Sequence, residues 1–439
     1  MTERRLSRGR LVAFSLVTTA LVLGGASALV SWLGRRGAVD LHRPDDRVQF
    51  VEEQLFVRDG DSFVTTAYAH DSMVPARVDA ERDPDGLRIF LLGGSFALGS
   101  PYSHQDDGAE TPGGIASFLR ARLEGRFPGR RVEVVNLGAG GEGSHRVRRV
   151  LEEVIDLDPD AVIVASCNNE GAARPSAMRE YLHTLGGYRL MTKLLAPSGD
   201  LPGRALHTVQ EGTVAKLRRE FAENLEAMRT TAQEHEVPLL LATLPVNLRY
   251  AAYSMSPFAD GVDITTAITR EEPDACIVAG RAAYEEGRHA EAIEALAECE
   301  DVAEALRWTG LAHAALGHDD DARAALRQSV ELLPRNRCRP SFNAVIEEVA
   351  ARPGAQLVDL RALAEAEAEQ GLPGPPLFLD YCHLHWRGYA LMALAIEEQL
   401  EAAGVVRGGE PAPDIETIAN DFDMESIHQL DRVQSSRWN

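Results

Sequence analysis

Short, almost continuous apolar runs alternate with longer segments of helical periodicity through the middle of the chain. The apolar runs predict strands at 87–92, 131–136, 161–166, 237–244 and 356–360. The helical patterns between them include 115–127, 147–155 and 214–235. This alternation indicates an α/β domain in which helices cover both faces of a parallel sheet of about five strands. Ligands of such sheets bind beyond the carboxyl ends of the strands.

A purely helical segment interrupts this alternation. Small and apolar residues recur in it at a displacement of 30 residues, with Gly280, Gly287, Ala292 and Leu296 repeated as Gly310, Gly317, Ala322 and Leu326. Small residues at these spacings let antiparallel helices approach closely, and the pattern resembles two tetratricopeptide-like repeats. Because two repeats bury little surface by stacking alone, we expect them to dock on the α/β domain between its fourth and last strands.

The N-terminus has a different pattern. An uncharged run at 11–33 follows four arginines and precedes Arg35 and Arg36. As a helix it spans roughly 34 Å, enough for a bilayer core, and its heavier positive flank predicts a cytoplasmic N-terminus. Ala26-Ser27-Ala28 resembles a signal-peptidase site, so cleavage is the alternative to an uncleaved anchor. With either an uncleaved anchor or a cleaved signal peptide, we expect the rest of the chain to be exported.

Together these patterns predict six segments. They are a membrane anchor or signal segment at 1–36, an extracytoplasmic lead segment at 37–85, the first part of the α/β domain at 86–272, the helical insert at 273–335, the second part of the domain at 336–403 and an acidic mobile tail at 404–439. Within the first part, the Gly- and Pro-containing stretch 171–203 is too long for a routine connection and predicts a lid or a substrate-shaping loop.

Composition narrows the class of protein and of partner. The 439 residues are 45% hydrophobic and 26% charged, which is ordinary for a globular protein, and the net charge of −22 argues against a nucleic-acid partner. The five cysteines are scattered and form no Cys-x-x-Cys pair. In the helical repeats, Cys276 and Cys299 would lie on adjacent antiparallel helices, either as a disulfide or as two thiols of a helical core.

Polar and glycine-rich residues follow the predicted strands. Gly93-Gly94-Ser95 follows the first strand, a glycine-rich run at 136–145 the second, and Cys167-Asn168-Asn169-Glu170 the third, while a run at 380–385 precedes the last helix. All four would face the same end of a parallel sheet. In order and placement they resemble the four signature blocks of the SGNH, or GDSL-like, esterases and acyl hydrolases, closest to exported members with a tetratricopeptide insert.

The resemblance implies a flavodoxin-like three-layer fold, no cofactor and no metal, and it gives the blocks roles. Ser95 would be the nucleophile, His383 the base that accepts its proton, and Asp380 the carboxylate that orients the imidazole. The resemblance further implies an oxyanion hole formed by the backbone N–H groups of Ser95 and Gly141 and the side-chain amide of Asn169.

Four further residues depart from the family pattern or border the site. Asn168 and His385 are candidates for the pocket rim. Cys167 stands where the family usually has glycine, which would place a thiol beside the site, and Gly94 replaces the aspartate of the Gly-Asp-Ser version. Asp380, Cys382, His383 and His385 could also be read as a metal site, which their local spacing disfavours.

These features predict a membrane-anchored extracytoplasmic serine hydrolase. It would cleave carboxylic esters in a lipid or an O-acylated carbohydrate. One alternative is an O-acyltransferase that acts on an exported polysaccharide, since both reactions begin with acylation of the serine. A second is a catalytically inactive, membrane-tethered scaffold whose repeats bind a protein partner.

Overall fold

The computed structural model describes most of the chain. The described residues are 24–30, 32–33, 55–66, 73–103, 112–170, 185, 187–188, 190–191, 211–250, 275–332 and 337–438. They fall into two compact units, of which the smaller comprises Met1–Glu53 and Ala173–Pro202 and the larger comprises Gln54–Ala172 and Gly203–Asn439.

Within the smaller unit, residues 24–30 are helical and the Gly187 N–H donates to Ser27 Oγ at 3.0 Å. None of the described helices combines the length and the apolar character needed to cross a bilayer. Most of the predicted membrane-spanning run and nearly all of the predicted lid lie outside the described residues. Both therefore stay predictions.

The larger unit begins with a small antiparallel sheet of β1 (Phe56–Asp59), β2 (Ser62–Thr65) and β3 (Arg77–Asp79). The lead segment 37–85 is thus partly folded, which its weak periodicity did not indicate. Phe56 and Val78 are buried in the main hydrophobic core, and this burial explains why such short strands are ordered.

The main sheet is parallel and has the strand order β5-β4-β6-β7-β8. Its strands are β4 (Leu87–Gly93), β5 (Val132–Gly138), β6 (Ala161–Ala165), β7 (Leu239–Ala242) and β8 (Gln356–Val358). Every residue of β4, β6 and β7 is buried, as expected of parallel strands covered on both faces. All five predicted strands are present, within three residues at each end.

The helices belonging to the sheet domain are α1 (Ser95–Leu98), α2 (Ile115–Arg126), α3 (Ser144–Val154), α4 (Glu211–Glu234), α9 (Pro340–Ala350), α10 (Leu360–Glu367) and α11 (Trp386–Ala402). The chain moves from β4 to β5 in one direction and then from β5 through β6 and β7 to β8 in the other. Right-handed crossovers therefore place α2 on one face of the sheet and α3, α4 and α9 on the other. In agreement, Phe118 of α2 stacks on Trp386, and Phe221 of α4 stacks on Phe342 of α9.

The helical insert lies between β7 and β8, as predicted. It consists of α5 (Ala275–Glu285), α6 (His289–Leu296), α7 (Ala303–Ala315) and α8 (Asp319–Glu331). The 30-residue repeat corresponds to two helix pairs, and a Cβ at Gly280 or Gly310 would overlap Leu296 or Leu326 of the facing helix. The small residues therefore serve close helix packing, while assignment to the tetratricopeptide class stays a prediction.

The insert docks on the sheet domain, as expected of so few repeats. Leu326 and Val330 of α8 belong to the main hydrophobic core. Two polar contacts also connect the insert to the sheet domain. Arg327 of α8 forms an ion pair with Glu365 of α10 at 2.6 Å, and the Gln370 side chain donates to the Ala314 carbonyl of α7 at 3.1 Å. The second helix pair is thus packed as part of the larger unit.

The prediction of a mobile tail at 404–439 is wrong. This segment forms α12 (Ile415–Asp421) and α13 (Met424–Trp438), and Ile418, Ala419 and Ile427 are buried in the main core. The Gly- and Pro-rich stretch before them is a connection rather than the start of a disordered segment. Apolar residues at helical spacing give both helices a face that packs on the domain.

Replacing Ile427 by alanine tests this packing. Because the side chain is fully buried, Ile427→Ala should lower the free energy of unfolding by about 2–5 kcal/mol. Chemical denaturation measures the loss, and Gln429→Ala, at an exposed position of the same helix, should change it by less than about 0.5 kcal/mol. Equal, small effects of both substitutions would show that the terminal helix is not packed.

Candidate active site

The register of the main sheet brings the first three signature blocks to one level. Gly93, the last residue of β4, pairs with Gly138 at the end of β5 and with Ala165 at the end of β6. Ser95, the 139–143 turn and the 167–170 turn therefore all leave the same carboxyl edge within a few residues of it. The predicted convergence of these segments follows directly from parallel pairing.

Ser95, His383 and Asp380 form a continuous hydrogen-bonded chain. The Ser95 Oγ lies 2.8 Å from His383 Nε2, and His383 Nδ1 lies 2.6 Å from Asp380 Oδ2. Ser95 is the first residue of the short helix α1 and is half-buried, whereas the other two residues are buried. The structure thus joins residues up to 288 positions apart in the chain, in the order hydroxyl, imidazole, carboxylate.

The Asp380 carboxylate also organises its own loop. Its Oδ1 accepts hydrogen bonds from the Cys382 and His383 backbone N–H groups at 2.8 and 2.7 Å. Asn247, which follows β7, donates from Nδ2 to the Asp380 carbonyl at 3.0 Å and from its backbone N–H to the Tyr381 carbonyl at 3.1 Å. Hydrogen bonds to Asp380 within the loop, and from Asn247 in another segment, therefore fix the conformation of the loop that carries His383.

Burial and charge act in opposite directions on this pair. Burial tends to raise the pKa of Asp380, but the adjacent imidazole and the two backbone N–H groups outweigh it and lower that pKa. Burial tends to lower the pKa of His383, but the Asp380 carboxylate outweighs it and raises that pKa well above 6.5. An ionised carboxylate beside the imidazole increases the affinity of the neutral ring for a proton, because it stabilises the imidazolium that forms when the ring accepts one.

The Asn169 side chain lies close to Gly94 and Glu142, the chain neighbours of the other two predicted oxyanion donors. Its Nδ2 donates to the carbonyl of Glu142, the neighbour of Gly141, at 3.1 Å, which uses one of the two amide hydrogens. A Cβ at Gly94 would lie only 2.9 Å from this Nδ2 and 3.0 Å from the Glu142 carbonyl oxygen. Glycine at 94 thus lets the Asn169 amide approach the backbone next to Ser95, which an aspartate there would obstruct.

Gly141 is exposed and has a φ of +77°, a conformation that favours glycine. A Cβ built there meets no protein atom within 4 Å. Among the described residues, backbone conformation rather than crowding accounts for glycine at this position. Ser95 is the first residue of helix α1, so its backbone N–H has no acceptor inside the helix.

A buried network fixes the turn that carries Asn169. Glu170 accepts the Ser144 N–H at 2.7 Å and the Ser144 hydroxyl at 2.8 Å, and Asn224 donates to the same hydroxyl at 3.0 Å. Burial raises the pKa of Glu170 to about 7. Glu170 therefore ties the end of β6 to the start of α3, which follows the Gly141 turn.

Cys167 and Asn168 differ from their predicted roles. Cys167 is bonded to Cys338, with Cα atoms 4.9 Å apart, so it places no free thiol beside the site. Asn168 is buried and its Oδ1 accepts the Cys338 N–H at 2.8 Å, a structural position rather than one at the pocket rim. The second disulfide joins Cys276 to Cys299, which selects one of the two alternatives left open for that pair. Cys382 is the free cysteine and is buried.

The structure places His385 against the C-terminal helix. Its Nε2 lies 3.2 Å from Asp431 Oδ2, and the other oxygen of Asp431 accepts the Tyr102 hydroxyl. One carboxylate of α13 thus contacts both the segment after Ser95 and the segment after His383. The contacts of His383 disfavour a metal site at 380–385, because one ring nitrogen already faces Asp380 and the other faces Ser95.

The model of the GDSL-like lipase/acylhydrolase family matches residues 91–391, more than half of the chain. The chain belongs to this family. It is accordingly an ester-bond hydrolase, in keeping with the serine-led arrangement at the sheet edge. None of the curated proteins matches the chain.

Solved structures give distant likenesses. An α/β hydrolase from the metagenome of Lake Arreo, Spain, is 16% identical, with 74% of this chain and 97% of that chain covered and a TM-score of 0.35. A mutant acetyl-xylooligosaccharide esterase from Geobacillus Stearmophilus is 13% identical, with 72% and 96% covered and a TM-score of 0.35. A GDSL-like lipase from Bacteroides thetaiotaomicron is 13% identical, with 74% and 93% covered and a TM-score of 0.33.

Sequence reasoning missed the residues that support the site from a distance. Asn247, Cys338 and Asp431 each contact a signature block from a segment with no motif of its own. An asparagine shortly after a strand, as at 247, is the weak local signal that was available. The other two depend on contacts between segments far apart in the chain.

Proposed function

We propose that this hydrolase cleaves carboxylic esters with Ser95 as nucleophile, His383 as general base and Asp380 as the orienting carboxylate. The observation that supports it most directly is the chain of hydrogen bonds from Ser95 Oγ through His383 to Asp380. A serine hydroxyl is a weak nucleophile until a base removes its proton, and His383 Nε2 is within reach to do so.

In the acylation half-reaction, Ser95 Oγ attacks the ester carbonyl and its proton passes to His383 Nε2. The Asp380 carboxylate stabilises the resulting imidazolium through Nδ1. The carbonyl oxygen becomes an oxyanion that the N–H groups of Ser95 and Gly141 and the second hydrogen of the Asn169 amide stabilise. Collapse of this intermediate breaks the C–O bond, and the alcohol leaves with the proton from His383.

In the deacylation half-reaction, water gives a proton to His383 and its oxygen attacks the acyl-serine. The same donors stabilise the second oxyanion, and the acid departs as Ser95 Oγ recovers its proton. Hydrolysis and transfer differ only in which hydroxyl enters at this step. Product analysis with and without an added sugar acceptor therefore separates the two.

We further propose that the catalytic unit is extracytoplasmic and is tethered by a helix formed by the uncharged run 11–33. The charge asymmetry around that run supports the orientation. The pairs Cys167–Cys338 and Cys276–Cys299 support an oxidising compartment, since disulfides are rare in reducing ones. Ester-bearing lipids or O-acylated carbohydrates are the proposed substrates.

Substitution of the nucleophile and the base tests the proposed roles. Ser95→Ala and His383→Ala should each lower kcat/KM for a short-chain aryl ester by about four orders of magnitude or more. A fluorophosphonate should label Ser95 in the unmodified protein, as peptide mapping can show. His385→Ala is the control for the neighbouring histidine and should cost far less. Retention of unmodified rates by Ser95→Ala or His383→Ala would overturn the assignment.

Removing the Asn169 amide tests the oxyanion hole. Asn169→Ala should lower kcat by about 100-fold or more, because an oxyanion donor stabilises the transition state by roughly 3–4 kcal/mol. The substrate KM and the unfolding midpoint should change little. A variant that loses only stability, with kcat unchanged, would exclude Asn169 from this role.

The pH dependence of kcat/KM tests the raised pKa of His383. Below that pKa the ring is protonated and cannot accept the Ser95 proton, so activity should rise with pH to a plateau with a midpoint above 6.5. Glu170, with a pKa of about 7, titrates in a similar range, and Glu170→Gln is therefore the control. That variant should keep the midpoint. A midpoint at or below 6.5, or one that disappears in Glu170→Gln, would contradict the assignment to His383.

A further inference from the structure

The turn between α7 and α8 of the helical insert carries a cluster of metal-ligating side chains. It comprises His313 in the last turn of α7, His318 just before α8 and Asp321 in the first turn of α8. One ligand atom from each of the three residues lies within 4.8 Å of the others. His313 is half-buried, and the other two are exposed, so an ion can reach all three from solvent.

The spacing of the two imidazoles fits a shared ion. His313 Nδ1 and His318 Nδ1 are 3.4 Å apart, and the His318 backbone N–H donates to the His313 carbonyl at 2.9 Å, which fixes the separation of the two residues. Two nitrogens bound at 2.0–2.1 Å to one tetrahedral zinc ion lie about 3.4 Å apart. The structure therefore places the two ring nitrogens at the separation that such an ion requires.

The third ligand comes from a carboxylate that is free to adjust. Asp321 is exposed, so rotation of its side chain can bring an oxygen to a bonding distance at little cost. Its neighbour Asp320 instead pairs with Arg323 at 2.8 Å. Asp321 is thus the carboxylate of this turn that completes a His-His-Asp set.

The first helix pair offers an internal comparison. At the positions 30 residues earlier it carries Ala283, Arg288 and Glu291, and Arg288 forms an ion pair with Glu291 across the equivalent turn. The second turn has imidazoles in place of the alanine and the arginine. The two otherwise similar turns therefore differ in the side chains that bind a metal.

We propose that His313, His318 and Asp321 bind one divalent transition-metal ion, with Zn²⁺ as the best fit. Two imidazoles and one carboxylate suit Zn²⁺ and its neighbours, whereas Mg²⁺ and Ca²⁺ prefer sets made of oxygen alone. Solvent completes the tetrahedron. The ion would link the C-terminal end of α7 to the start of α8, at the turn next to the Ala314 carbonyl that receives the Gln370 contact.

Zinc binding by the full-length chain tests this proposal. The protein, without a histidine tag and stripped with a chelator, is dialysed against ZnCl₂ alone, and bound metal is counted. We expect one Zn²⁺ per chain and, with CoCl₂ in its place, the visible absorption typical of tetrahedral Co²⁺. The readout is metal content, so it does not depend on ester hydrolysis.

Matched variants locate the site. His313→Gln, His318→Arg and Asp321→Asn should each weaken zinc binding by about tenfold or more, since loss of even an outer partner of a ligand costs 10–100-fold. His289→Gln in the first helix pair and Asp320→Asn beside the site should bind as the unmodified chain does. Circular dichroism during thermal unfolding confirms that each variant is folded.

The proposal fails if the first three variants bind zinc like the unmodified chain, because the metal then lies elsewhere. It also fails if the two control variants lose as much affinity as the ligand variants, or if Co²⁺ gives an octahedral spectrum only. His318→Arg reproduces the residue of the first helix pair, so a folded His318→Arg chain that keeps full affinity would by itself exclude His318 as a ligand.

Discussion

The buried carboxylate of Asp380 is the constraint on which the geometry around Ser95 and His383 depends. A charge with no exposure to solvent is costly unless hydrogen bonds and an opposite charge compensate it. Asp380 obtains both from residues within three positions, through two backbone N–H groups and the His383 ring. The backbone bonds fold the loop into a tight turn, and this turn aims the imidazole at Ser95. The hydrogen bonds that stabilise the charge therefore also set the position of the His383 ring relative to Ser95.

The parallel sheet supplies the second constraint. Gly93 is level with both Gly138 and Ala165, so the three turns that follow leave the sheet side by side. The distances between these turns are then set by small residues and hydrogen bonds. Gly94 lets the Asn169 amide approach closely, and that amide donates a hydrogen bond to the Glu142 carbonyl. Because the three turns leave the sheet side by side, short turns are enough to bring the proposed oxyanion donors together, and no long loop is required.

The elements that could be predicted from the sequence are those whose structure follows from the pattern of their own residues. The main strands are buried on both faces and appear in the sequence as apolar runs, and the placement of the first three blocks followed from where those runs stop. The helix pairs were visible because Gly280 and Gly310 recur at a fixed displacement. The small sheet around Val78 and the terminal helices around Ile427 were missed, since their order comes from burial against distant segments rather than from their own composition. The same holds at the site, where Cys167 pairs with a cysteine 171 residues away.

This disulfide explains how the domain accepts a helical insert without losing its active-site geometry. Cys338 stands just after the insert and immediately before α9, at the point where the chain re-enters the sheet domain. Its bond to Cys167 and the bond from its N–H to Asn168 anchor that point to the turn that presents Asn169. On the other side of the insertion, Asn247 stands five residues after the end of β7, and its side chain donates to the Asp380 carbonyl. A residue just after the insert and a residue of the segment before it therefore contact, respectively, the turn that carries Asn169 and the loop that carries His383.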